Sequence, residues 1–243
     1  MNIVNENNVI FEPIKLAPDY EFNLPEHLEE VLIAVEPGIN LNGIFFDNPA
    51  SESLLIYFQG NAKNLQNWLD NHNMSMEWNH SILVVDYRGF GKSDGVLGGQ
   101  SQMYSDAEKI YEYAKSLGYD DDQISFYGYS MGSAMATYLA SKVKAKALVL
   151  ESAYSSIAEI GIFGDKAPSY KLDNKEIVKS VNIPTLVIHG DLDDIITPDH
   201  AHRIYNNLST RDKELIMLAG GGHGDLRSRP EYKEIITGFF NRI

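Results

Sequence analysis

The sequence predicts an α/β fold: a doubly wound, mostly parallel sheet of about eight strands with helices on both faces. Three observations carry this. Short runs rich in Val, Ile and Leu recur without polar alternation, the pattern of strands buried on both faces. Stretches of helical periodicity separate them, so strand and helix succeed one another in regular order. The 243 residues suffice for one buried sheet, and no repeat, low-complexity tract or Gly/Ser linker divides them. One domain is expected over residues 1–243, with a minimal lid-like segment at about 152–182.

Residues 31–35 and 41–46, parted by Pro37-Gly38, read as a hairpin at the N-terminal edge. Runs at 54–58, 82–86, 124–129, 147–151, 185–189 and 214–218 supply the remaining strands. Ser101 is the expected N-cap of a helix running to Ser116, stopped by Gly118. Further helices are expected at 131–142, 174–181, 198–206 and 230–242. The segment between Glu151 and Pro184 is short. It leaves room for a small helix near 156–160 and a loop through Phe163-Gly164-Asp165 before the helix from Asn174. In doubly wound sheets ligands sit beyond the carboxyl ends of the strands, so the residues just after each run are where chemistry is sought.

Composition narrows the function classes. An apolar fraction of 44% with 22% charged residues describes an ordinary globule. The absence of cysteine excludes disulfides, thiolate metal sites and cysteine nucleophiles. A net charge of -14 argues against nucleic-acid partners and disfavours docking on anionic lipid. No apolar stretch is long enough to span a bilayer. Residues 1–11 lack the basic start and apolar core of a signal peptide, so a soluble, unsecreted, cytoplasmic chain is expected. No cluster of histidines and carboxylates has metal-ligand spacing, so neither metal nor cofactor is expected. The partner expected is a small-molecule or acyl-group substrate. Oligomeric state and peripheral membrane association stay open.

The run Gly128-Tyr129-Ser130-Met131-Gly132 lies between a buried strand and a helix. A sharp strand-to-helix turn strains the central residue and exposes its hydroxyl, while small residues on either side let neighbouring backbones approach. Ser130 is therefore the expected nucleophile. Its proton needs a base, and the base needs an orienting carboxylate, in the chain order Ser, acid, His. After the 185–189 run comes His189-Gly190-Asp191-Leu192-Asp193-Asp194, and after the 214–218 run comes Gly220-Gly221-Gly222-His223-Gly224. Three glycines free the second loop to aim an imidazole at the sheet, so His223 is the expected base. Asp193 is the expected acid, with Asp194 the runner-up and Asp191 expected to cap the turn. His189 is read as satisfying local backbone groups and Glu151 as structural. For the oxyanion, the expected donors are the backbone N–H of Met131 and of Asn61, the latter in the loop Gln59-Gly60-Asn61-Ala62-Lys63-Asn64. Asn64 serves equally as a helix N-cap. Asn61, Tyr154, Ile162 and Phe163 are candidate pocket walls.

Together Phe58-Gln59-Gly60-Asn61-Ala62, Asp86-Tyr87-Arg88-Gly89-Phe90-Gly91-Lys92-Ser93, the serine turn, Leu150-Glu151-Ser152 and the two late loops resemble the α/β-hydrolase family. The closest likeness is to its small branch of membrane-associated lipases, depalmitoylating thioesterases and uncharacterised bacterial hydrolases. That resemblance implies cofactor-free hydrolysis of carboxylic esters or thioesters. Peptide or amide cleavage of the serine aminopeptidase kind, and a non-catalytic hydrolase-like binding protein, are the alternatives. Three departures stand out. Gln59 replaces the family's usual histidine and is expected at the pocket wall. Thr197 intervenes between Ile196 and Pro198 after the acid. The membrane anchor with which many relatives begin is not expected here.

Overall fold

The computed structural model describes residues 6–71 and 79–243. Residues 1–5 of the N-terminal stretch read for a signal lie outside them. Eight strands form one sheet: β1 (Leu28–Glu36), β2 (Ile39–Phe46), β3 (Leu54–Phe58), β4 (Ser81–Val85), β5 (Ile124–Tyr129), β6 (Ala147–Glu151), β7 (Thr185–Gly190) and β8 (Lys213–Leu218). Their spatial order is β8-β7-β6-β5-β3-β4-β2-β1. Only β1 with β2 and β2 with β4 pair antiparallel; the rest are parallel. Gly38, at φ +77°, makes the hairpin turn between β1 and β2.

The unbroken apolar runs are explained by two cores, one on each face. Leu54, Ile56 and Phe58 of β3 enter one, and Leu55 and Tyr57 the other. The same period-two division runs through β4, β5 and β6. Helices α2 (Gln100–Ser116), α3 (Ser133–Ala140) and α5 (Asp199–Asn207) cover the first face, and α1 (Leu65–Asn71) and α6 (Pro230–Arg242) the second. A short α4 (Asn174–Ile177) precedes β7. Each fully buried Leu, Ile, Val or Phe contributes about 1.5–3 kcal/mol, and the central strands are buried along their whole length. Among the described residues no helix is long and apolar enough to cross a membrane.

Two local expectations need correction. Helix α2 starts at Gln100, so Ser101 lies within its first turn. Gly99 stands at the N-cap, its carbonyl accepts the N–H groups of Gln102 at 3.0 Å and Met103 at 3.2 Å, and the Gln102 side chain accepts the Gly98 N–H. The turn after Ser130 is one 3-10 turn, Ser130–Gly132, before α3 begins at Ser133. The lid-like region holds two 3-10 turns, Ile157–Glu159 and Gly164–Lys166, ahead of α4.

Candidate active site

Ser130 follows β5 with φ +50°, left-handed for a residue with a Cβ. The strain is held by close packing on both sides. A Cβ on Gly128 would lie 2.5 Å from Ser133 Cα, and one on Gly132 would lie 2.1 Å from the Phe58 carbonyl oxygen. Only glycine fits at these two places, so the elbow is fixed by exclusion.

The loops after β7 and β8 bring two more side chains to the same edge. Ser130 Oγ lies 3.0 Å from His223 Nε2, and His223 Nδ1 lies 2.8 Å from Asp193 Oδ2. A carboxylate accepts only, so Nδ1 carries the proton and Nε2 offers its lone pair to the serine hydroxyl. Asp193 Oδ1 accepts the N–H of Ile195 at 3.0 Å and of Ile196 at 2.8 Å, so both carboxylate oxygens are oriented. Asp193 is 2% exposed. Burial alone would raise this carboxyl. Hydrogen bonds from His189 and His223, the nearby imidazole charge and the Ile196 N–H outweigh it and hold the group well below the usual carboxylate range.

The neighbouring aspartates go elsewhere. Asp191 Oδ1 accepts the Gly220 N–H at 2.6 Å, tying the β7 loop to the β8 loop. Asp194 is exposed to solvent. His189 does more than bind local backbone. Its Nε2 donates to the Ile196 carbonyl at 2.7 Å and also lies 3.2 Å from Asp193 Oδ2, so a second, wholly buried imidazole braces the carboxylate. The sequence signal was a histidine four residues before the aspartate, but only a turn folded back on its strand gives that spacing meaning.

Asn61 and Met131 line one cavity of about 570 Å³ together with Ser130 and His223. Among the described residues no turn or loop hydrogen bond engages the Asn61 or the Met131 backbone N–H. Asn64 Oδ1 accepts the Asn67 N–H at 3.3 Å, so this loop also caps α1. Ile162 and Phe163 line the cavity, whereas Tyr154 is packed in the core at 0% exposed and forms no wall. Val9, Ile10, Ile160, Ile195 and Ile196 complete an apolar lining, with Glu12 and Lys166 as its charged members.

Gln59 also lies away from the cavity. It is buried, and its Nε2 donates to Asp86 Oδ1 at 2.6 Å. The other Asp86 oxygen accepts the Leu65 N–H at 3.1 Å, so one carboxylate spans both ends of the Asn61 loop. Burial pushes Asp86 up to about 7 against the lowering pull of Leu65, Gln59 and Lys15. Beneath the edge, Glu151 Oε2 accepts from Arg227 Nε at 3.0 Å, Arg227 Nη2 at 2.9 Å, Tyr232 OH at 2.9 Å and Tyr127 OH. Arg227 follows His223 closely in the chain, so this buried pair fastens the histidine loop to the sheet. No group of three or more His, Asp or Glu side chains among the described residues is arranged to hold a metal ion.

A family model described as serine aminopeptidase, S33, matches residues 73–172 and 172–228. An uncharacterized protein of Acanthamoeba polyphaga mimivirus is 25% identical over 89% of this chain and 82% of its own. The α/β hydrolase domain-containing protein aho-3 of Caenorhabditis elegans is 31% identical over 79% of this chain, which spans 59% of that relative's length. An esterase of Pyrococcus furiosus superposes with a TM-score of 0.78 at 18% identity, covering 96% of this chain and 98% of the esterase. At that identity the likeness is one of fold.

Proposed function

The chain belongs to the α/β-hydrolase family, through its serine aminopeptidase S33 group, and from that premise we propose that it hydrolyses carboxylic esters or thioesters through an acyl-enzyme on Ser130. The observation that carries this reading is the unbroken hydrogen-bond chain from Ser130 Oγ through His223 to Asp193, at 3.0 and 2.8 Å. His223 Nε2 takes the hydroxyl proton as Oγ attacks the acyl carbonyl carbon. The carbonyl oxygen, now negative, receives the Met131 and Asn61 N–H groups. The tetrahedral intermediate collapses, and the alcohol or thiol leaves with the proton from His223. Water then attacks the acyl-enzyme by the same route and releases the acid. Asp193 holds the imidazole in its working tautomer and stabilises its charged form throughout. The whole site lies within one domain on this reading, with the 152–182 segment as a minimal lid.

The apolar cavity lining supports an acyl chain over a peptide. One feature favours the amidase alternative: Glu12 lines the cavity, where a carboxylate would pair with a substrate α-ammonium. Rates on a panel of acyl p-nitrophenyl esters and aminoacyl p-nitroanilides separate the two. A fluorophosphonate that labels Ser130 separates either from a non-catalytic binding protein. Ser130→Ala is expected to lose on the order of 10⁴–10⁶ in kcat with the melting temperature retained. Activity within tenfold of the unmodified protein rejects the assignment.

A further inference from the structure

The N-terminal strap, residues 6–16, lies outside the residues that match the family model, yet it is built into the cavity. Asn8, Val9, Ile10 and Glu12 contribute to the lining. Ile10 is 1% exposed, and Val9 packs partly buried against the same core. Past the cavity the strap zips onto the oxyanion loop. Glu12 and Pro13 pair in parallel with Ala62 and Lys63. Asn61 is gripped on both sides, its Nδ2 donating to the Ile10 carbonyl and its own carbonyl accepting the Glu12 N–H at 2.8 Å.

The other end of the strap is fixed to the lid-like segment. Glu6 Oε2 accepts both the N–H and the hydroxyl of Ser169 at 2.8 Å, and Tyr170 OH donates to Asn7 Oδ1. Asn7 Nδ2 also donates to the Gly98 carbonyl at 2.8 Å. Glu6 and Asn7 are both buried. That lid-like segment supplies Ile160, Ile162 and Phe163 to the lining. Strap and lid-like segment are thus hydrogen-bonded into one ring around the cavity, and its aliphatic members come from both.

We propose that the strap is a specificity-determining wall of this site: Val9, with Ile10 behind it, sets the length of straight-chain acyl group that the cavity accepts, and Glu6 and Asn7 hold that wall against the lid-like segment. This rests on the hydrolytic reading for its substrate class. Each methylene seated against the wall raises kcat/KM about fourfold, until the chain outruns the cavity. The test measures kcat/KM over p-nitrophenyl esters from acetate to laurate, in the unmodified protein and in Val9→Phe, Val9→Ala and the double variant Glu6→Ala/Asn7→Ala. Val9→Phe moves the optimum to shorter chains and Val9→Ala moves it to longer ones. The double variant lowers the gain per methylene towards onefold. Val9 is only partly buried, so both replacements fit the fold, and melting temperatures check this. An optimum that stays where it was in either Val9 variant, or that shifts the same way in both, overturns the proposal; a gain per methylene unchanged in the double variant overturns the anchoring role.

The same series is read without catalysis by calorimetric binding of straight-chain carboxylates to the Ser130→Ala background. If no ester is turned over, the hydrolytic reading fails while the binding optimum still decides the role of the strap.

Discussion

Replacing Asp193 by Asn tests the proposed acid against its neighbours. Asp193 Oδ1 faces two backbone donors, the N–H groups of Ile195 and Ile196, and Oδ2 faces His223 Nδ1. An asparagine keeps the shape but has one acceptor. The two amides cannot turn, so the carbonyl oxygen faces them and the NH₂ group faces His223. The imidazole then moves its proton to Nε2, where it can no longer accept from Ser130. In a well-studied triad this tautomer error costs on the order of 10⁴ in kcat, about 5 kcal/mol of transition-state stabilisation. Asp191→Asn keeps an oxygen for the Gly220 N–H, and Asp194 points to solvent, so each is expected within about threefold of the unmodified rate. Initial rates on a short p-nitrophenyl ester at saturating substrate give the comparison. An Asp193→Asn enzyme within tenfold of the unmodified protein, or a dead Asp194→Asn enzyme, refutes the assignment.

Further outcomes follow from the buried charges. Arg227→Met leaves the Glu151 carboxylate buried without the guanidinium that pairs with it, and should lower the unfolding free energy by about 3–5 kcal/mol, read by urea denaturation. A loss below about 1 kcal/mol would show that the pair is not what holds the histidine loop. Asp86 has a folded value of about 7 against an ordinary value of 3.8. Between those values the unfolded chain has released the proton that the folded chain keeps, so this group's stabilisation is complete at acid pH and lost as pH rises towards 7. Urea midpoints from pH 5 to 8 should therefore show a difference between the unmodified protein and Asp86→Asn that changes with pH. A constant difference removes Asp86 as its source.

The sheet was legible because burial on both faces writes itself into composition: 54–58, 124–129 and 147–151 coincide with β3, β5 and β6. The serine elbow was legible for a related reason, since Gly128 and Gly132 mark contacts that no other residue permits. The pockets around it were less so. Gln59 and Tyr154 were both expected at the wall, yet one is spent on Asp86 and the other is swallowed by the core. A side chain one to three positions past a strand end, as Gln59 and Tyr154 are, can turn to either face of its loop, and adjacent residues do not say which. The backbone contact of His189 was foreseen, but its brace on Asp193 and the strap were missed because they depend on contacts with no local periodicity. Residues 6–16 have neither strand nor helix pattern, and their partners lie near residues 61, 97 and 169.

That reach also sets the order of assembly during synthesis. Glu6 precedes its partner Ser169 by 163 positions. Parallel pairing and contacts of such separation form late, because the intervening loop must close before they repay its entropy. While a chain is still emerging, the elbow serine is made before the loop that carries His223, and the strap can pair with Ala62 and Lys63 but not yet with Ser169 and Tyr170. A nascent molecule at that stage therefore carries a hydroxyl with no base and a strap held at one end only. On the proposed mechanism, reactivity arrives only after β8 and the loop that follows it have been made, whereas the ring that sets selectivity can close once Ser169 and Tyr170 are available.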